Sequence, residues 1–295
     1  MCILLLRQRR QRRLPRLQRL RLLRQRPPTL RRRTLDLNRF VTFRRRMGLC
    51  AALLLLGIVL FGVVSGRLPV RALLTFVQFR LRPERVRTQQ LVQLQNPTTQ
   101  QVVFLVGTTH QYHYEDPAYS IWHLKAAITG VAADTVFIEM MRDAVEEGRL
   151  GEGPVEMPFI ALVAKEAGLR VFGVDSGWEG GWQGRQTRMY QQVQRDLPTS
   201  KRAVIAAGFM HVEQFQTQLE GDGFVVVDWS DEHKSAVCDA PIAQTWPPGL
   251  TEALNAAIAR AQAGKLDTDP TRAADVDWFI SIRQQVLAKM EPAAF

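Results

Sequence analysis

Read only for apolar and polar positions, the chain changes character twice. From Gly48 to Gly66 it runs GLCAALLLLGIVLFGVVSG, nineteen residues without a charge. At about 1.5 Å of rise per residue, a helix of that length reaches roughly 28 Å, close to the thickness of a bilayer's hydrocarbon layer. Beyond a Gln/Asn/Thr/Pro stretch at Gln93–Gln101, short apolar runs alternate with longer amphipathic ones. Val102–Val106, Thr135–Ile138, Arg170–Val174, Ala203–Ala207 and Phe224–Val227 read as strands. The first is a continuous apolar run ended by Gly107, the pattern of a strand covered on both faces. Helices are predicted over roughly 117–131, 158–167, 185–197 and 212–219, with Gly168 closing the second and Pro198 stopping the third. Leu250–Ala263 repeats near 3.6 residues, and Asp269-Pro270 opens a last helix running to about Met290. The alternation predicts an α/β domain, a mostly parallel central sheet flanked by helices, preceded by one transmembrane helix.

The organisation that follows has four parts. Residues 1–46 form an Arg-rich tail expected to be disordered, and 47–66 a transmembrane anchor or, since Val63-Val64-Ser65-Gly66 ends in small residues, a cleavable signal sequence. Residues 67–100 are a juxtamembrane linker, of which 68–82 suit an amphipathic helix on lipid headgroups. Residues 101–295 are the α/β domain with C-terminal helices. Seven arginines flank the apolar run on its N-terminal side (31, 32, 33, 39, 44, 45, 46) and five on the other (67, 71, 80, 82, 85). That excess places the N-terminus in the cytoplasm and the domain outside. An Arg-rich, acid-poor opening also suits an organelle transit peptide, and Met47 is an alternative start.

Charge changes the picture of the partner. The formal net charge is +11. Residues 1–46 hold 17 arginines and one acid, Asp36, for +16, which leaves 11 − 16 = −5 on the rest. A folded part that is mildly acidic argues against nucleic acid as a partner. The expected partners are the bilayer, through 48–66, and a peptide or small-molecule substrate. Cys2, Cys50 and Cys238 are too scattered to form a disulfide framework.

In open α/β sheets functional groups gather where strands give way to loops. The first polar groups after the strands are Gly107-Thr108-Thr109-His110, Glu139, Asp175 and Gly208-Phe209-Met210-His211. Parallel strands would bring them to one sheet edge, with His110 and His211 in two equivalent Gly-x-x-His turns. Two imidazoles and a carboxylate are a usual ligand set for a divalent ion, or a general acid and base without one. Gly107 and Gly208 would bring backbone N–H groups close to a substrate oxyanion. His113 either supports the site from behind or contacts substrate, or else is a solvated loop residue, and Asp175 is either a ligand or a helix N-cap. His123 reads as structural, His233 as exposed, and Asp143, Glu146 and Glu147 as a solvated face. Trp178 and Trp182 read as anchors of a Gly-rich loop that is also a candidate lid.

These residues resemble the TraB/GumN/Tiki family, within a superfamily of erythromycin esterase-like and ChaN-like domains. The resemblance rests on VVFLVGTTH (102–110), DTVFIEM (134–140), Arg185-Gln186-x-x-Met189 and AVIAAGFMHVEQFQTQLEGDGFVV (203–226). It implies a membrane-tethered, metal-dependent hydrolase, a peptidase in Tiki-type members, with manganese, cobalt or zinc held by His110, Glu139 and His211. It also implies Arg185 as a substrate anchor. Gln186 departs from the family's Asn or Asp, and Phe209-Met210 are bulkier than its usual residues. ChaN-like relatives imply another outcome, metal or haem binding without turnover, and the esterase-like ones a metal-free hydrolase.

Overall fold

The computed structural model describes residues 90–177, 181–265 and 270–291. The chain divides into two units, Met1–Val70 and Arg71–Phe295, and the described residues all belong to the second. The Arg-rich tail, the apolar run at 48–66, the proposed surface helix at 68–82 and Trp178 lie outside them. Among the described residues no helix is long and apolar enough to cross a membrane.

Six strands form one mixed sheet: β1 (Leu91–Gln95), β2 (Val102–Thr108), β3 (Thr135–Met141), β4 (Arg170–Asp175), β5 (Arg202–Gly208) and β6 (Val225–Val227). Their order is β4-β3-β5-β2-β1-β6. The β4–β3, β3–β5 and β5–β2 pairs are parallel, whereas β1 runs antiparallel to both β2 and β6. Five strands therefore point one way and one is reversed. The expected linker at 67–100 is corrected in its last part: Leu91–Gln95 is an inner strand, so the domain begins before residue 101. The turn Asn96–Gln101 makes a hairpin of β1 and β2, with the Asn96 side chain accepting from the Thr98 and Thr99 N–H groups.

The helices are α1 (Ile121–Gly130), α2 (Arg142–Glu146), α3 (Met157–Glu166), α4 (Gly181–Asp196), α5 (Phe209–Gly221), α6 (Asp231–Cys238), α7 (Leu250–Lys265) and α8 (Pro270–Met290). Side chains alternate across a strand, so β2 serves two cores. Phe104 and Val106, with Val136, Ile138, Val204 and Ala206, pack under α1, α3, α7 and α8. Val103 and Leu105, with Phe137, Ile205 and Ala207, pack under α4 and α5. This is why β2 reads as an unbroken apolar run. Gly168 closes α3 as expected, in the left-handed region at φ 74°.

The topology positions the site. From β2 the chain crosses to β3 by α1 on one face, while from β5 it leaves by α5 on the other. Because β2 and β5 are neighbours in level register, Thr108 opposite Gly208, their exits diverge and open a crevice at the C-terminal edge.

Candidate functional site

That crevice is a cleft of about 480 Å³ lined by, among others, His110, Glu139, Asp175, Arg185, Gly208 and His211. Of the residues singled out from sequence, His110, Glu139, Asp175, Arg185, Gly208 and His211 thus meet here. Glu139 lies inside β3 rather than at its end, one residue past the Ile138–Ala206 pair, and so reaches the N–H of Gly208 at 2.7 Å. Gly208 suits this approach: a Cβ there would stand 3.1 Å from His110 Cε1 and 3.2 Å from both His110 Nε2 and Glu139 Oε2, a tight fit that those side chains would have to yield to.

Arg185 is the centre of the buried floor. Its Nη2 donates to Glu139 Oε1 and to Asp175 Oδ2, each at 2.8 Å, and its Nε donates to Asp175 Oδ1 at 2.8 Å. Asp175 is thereby neither a ligand nor a helix cap but the clamp of the guanidinium. His211 Nε2 lies 3.2 Å from Glu139 Oε1 and 3.3 Å from Arg185 Nη1, and its Nδ1 meets the Gln186 amide. Burial works to raise the Glu139 carboxyl. The hydrogen bond and charge of His211, with the charges of His110 and Arg185, outweigh it and hold the group below the usual carboxylate range.

His110 stands apart from this floor. It begins the 3-10 turn His110–Tyr114 with φ at 53°, a left-handed conformation that costs a residue with a Cβ about 1 kcal/mol or more. Its Nδ1 is 3.0 Å from Glu156 Oε1, and its side chain is 44% exposed against 0% for Glu156. Nε2 faces Gly208 on the cleft side. Burial would lower this imidazole, but the attraction and hydrogen bond of Glu156 win and raise it to about 9. The Glu156 carboxyl, which burial would raise, is held down by His110. It also accepts from the Thr108 hydroxyl at 2.5 Å.

The structure separates two candidates from the site. His113 is buried, its Nε2 accepting from the Thr109 N–H at 2.8 Å and its Nδ1 2.7 Å from the Tyr119 carbonyl. Both ring nitrogens are thus engaged by backbone: the ring supports the turn that carries His110, one of the roles expected for it, which corrects the expectations of a direct substrate contact and of a solvated loop residue. Burial takes its pKa down to about 4. Gly107 is likewise structural: its N–H and carbonyl are spent on Gln90 and Tyr119, and a Cβ would collide with Gln90 at 2.4 Å. His123 caps α1 through Ser120, in keeping with a structural role.

Two contributors, Glu156 and Arg283, were not read from sequence, and a third, Trp182, was read only as a loop anchor. Glu156 is the single charge in the run Gly153–Ala164, a signal that was there to use. Trp182 belongs to α4 and stacks on His211 at 4.8 Å and 24°. Arg283 comes from α8 and donates to the carbonyls of Gly151 at 2.9 Å and Gly153 at 2.5 Å, with burial lowering it to about 10.

The expected ligand set of His110, Glu139 and His211 does assemble, but with the Arg185 guanidinium against both Glu139 and His211. The Glu139 oxygens are already taken by Arg185, His211 and the Gly208 N–H, and a divalent ion would be repelled by the guanidinium. Among the described residues no group of three or more His, Cys, Asp or Glu is arranged to hold a metal ion. With the guanidinium among its members and its carboxylate oxygens engaged, this donor set does not fit a divalent ion. No family model, no curated protein and no solved structure matches the chain.

Proposed function

We propose that the domain is a metal-independent hydrolase of carboxylic esters, with His110 as the proton-transfer group. The observation that carries this reading is the His110–Glu156 pair at the topological switch. A buried carboxylate orients Nδ1, and Nε2 faces the cleft with no hydrogen-bond partner among the described residues. In its neutral form Nε2 takes a proton from water as the water oxygen bonds to the carbonyl carbon. The tetrahedral intermediate collapses with cleavage of the acyl–oxygen bond, and the imidazolium returns its proton to the leaving alkoxide. Acid and alcohol are the products. The N-terminal N–H groups of α5, which have no acceptor within the helix, supply the donors for the developing oxyanion. Arg185, Glu139 and Asp175 hold the floor rigid through their shared ion pairs.

The uncharged run at 48–66 belongs to the same proposal as a bilayer anchor that holds the domain on the outer side. The manganese-, cobalt- or zinc-dependent peptidase implied by the family resemblance is the competing outcome, and one experiment separates the two. The full chain is assayed on soluble carboxylic esters and short peptides, with and without EDTA, beside His110→Asn. Asparagine tolerates the left-handed backbone at this position, so the variant removes the imidazole without adding strain. Ester turnover should survive EDTA and fall about a hundredfold or more in the variant. Turnover abolished by EDTA and restored by a divalent ion would overturn the metal-independent reading. Absence of any turnover would overturn hydrolysis altogether.

A further inference from the structure

The cleft's charges balance within the protein: Arg185, Arg283 and the His110 imidazolium stand against Glu139, Asp175 and Glu156. Arg185 is paired with Asp175 and Glu139, Glu152 with Arg149 and Arg260, and Arg283 with backbone carbonyls. An ionised substrate group would upset that balance, and entering would cost it its hydration. The walls above this floor are apolar: Val155, Trp182, Met210, Trp278, Phe279 and Ile282 all face the space. Two of them, Trp278 at 61% and Met210 at 37% exposure, leave large apolar surface in water at the mouth. Exposed apolar surface beside a polar floor marks a ligand that covers it. The cavity of about 480 Å³ lies within the range that holds a drug-sized molecule.

From this we infer that the ligand is a neutral carboxylic ester with an apolar acyl arm, the ester beside His110 and the arm lying along Trp278, Phe279 and Met210. This rests on the hydrolase reading for turnover, but not for binding. Each methylene the walls cover contributes about fourfold in affinity, from about 0.8 kcal/mol per buried CH₂. Two or three covered methylenes therefore give about tenfold or more.

The test compares p-nitrophenyl octanoate with p-nitrophenyl acetate on the full chain, and calorimetric binding of octanamide with that of acetamide. Octanoate should exceed acetate in kcat/KM by about tenfold or more, and octanamide should bind where acetamide does not. Trp278→Ser, at an exposed position where folding is not at stake, should collapse the octanoate-to-acetate ratio. His110-dependent turnover of both esters at similar kcat/KM, or a ratio untouched in Trp278→Ser, would overturn the apolar-arm inference and leave the hydrolase reading standing. Octanamide binding without turnover of either ester would sink the hydrolase reading and keep the apolar ligand. Binding of neither amide would overturn the inference.

Discussion

Replacing Glu156 with Gln tests the heart of the site. The change keeps the shape of the side chain and a hydrogen bond to His110 Nδ1 but removes the buried negative charge that holds the imidazole at about 9. Without it, burial is the leading influence left on the ring, and its midpoint should fall toward or below the ordinary 6.5. The full difference of about 2.5 units corresponds to about 3.4 kcal/mol at 1.36 kcal/mol per unit. The ring is 44% exposed, so solvent screening should leave about half of that, a fall of roughly one unit or more. Two measurements read it. One is an NMR titration of the ring protons, with His110 assigned by its absence in His110→Asn. The other is the pH dependence of ester kcat/KM. In the parent chain the imidazole is largely protonated at neutral pH, so turnover should rise with pH toward about 9. In Glu156→Gln the rise should occur at lower pH and plateau at a lower rate, because a weaker base is a slower one. An unmoved midpoint would mean that Glu156 does not control His110, and the proposed pair would fall.

Two further outcomes follow from groups around that pair. Arg185→Met leaves Glu139 and Asp175 without their guanidinium; stranding buried carboxylates costs about 3–5 kcal/mol, so denaturant unfolding should shift by that order, and an unchanged midpoint would show that the floor is not an ion network. His113 is held neutral, its folded value of about 4 lying below the ordinary 6.5, so the unfolded chain takes up the proton first. Its contribution is present above 6.5 and is lost as pH falls from 6.5 to about 4, up to about 3 kcal/mol, whereas that of His110, raised in the fold, is present below 6.5 and lost as pH climbs through about 9. Urea unfolding of the full chain and His113→Gln across that acid window checks the first sign. Equal slopes in the two proteins would refute it.

The parts of this arrangement that could be read in advance are those set by strand pattern. β2, β3, β4 and β5 are apolar because both their faces are covered, and their exits carry His110, Asp175 and His211, with Glu139 inside β3. Parallel pairing then forces convergence. β1 was hidden because Leu91 and Leu94 alternate with glutamines beside a turn rich in Asn, Pro and Thr, a composition that reads as a link. Glu156 was hidden for a different reason. Its role depends on a loop folding back under the β2 exit, and nothing local to Val155-Glu156-Met157 encodes which histidine it meets. Trp182 and Arg283 reach the cleft through helix packing, and α8 supplies its share from the far end of the domain. His113 shows the reverse: a histidine three positions from His110 looked suited to substrate, but the turn points its ring at the backbone of Thr109 and Tyr119.

The reversed strand has a bearing on how the domain could be released from whatever lies ahead of it. Among the described residues β6 pairs with β1 alone, and β2 has β1 along one side. A protease that cut the exposed turn at Asn96–Gln101 could strip Leu91–Gln95 from the middle of the sheet, leaving β6 stranded and the hydrogen-bonding edge of β2 open to pairing with another chain. A cut that keeps this sheet whole therefore has to fall ahead of Gln90.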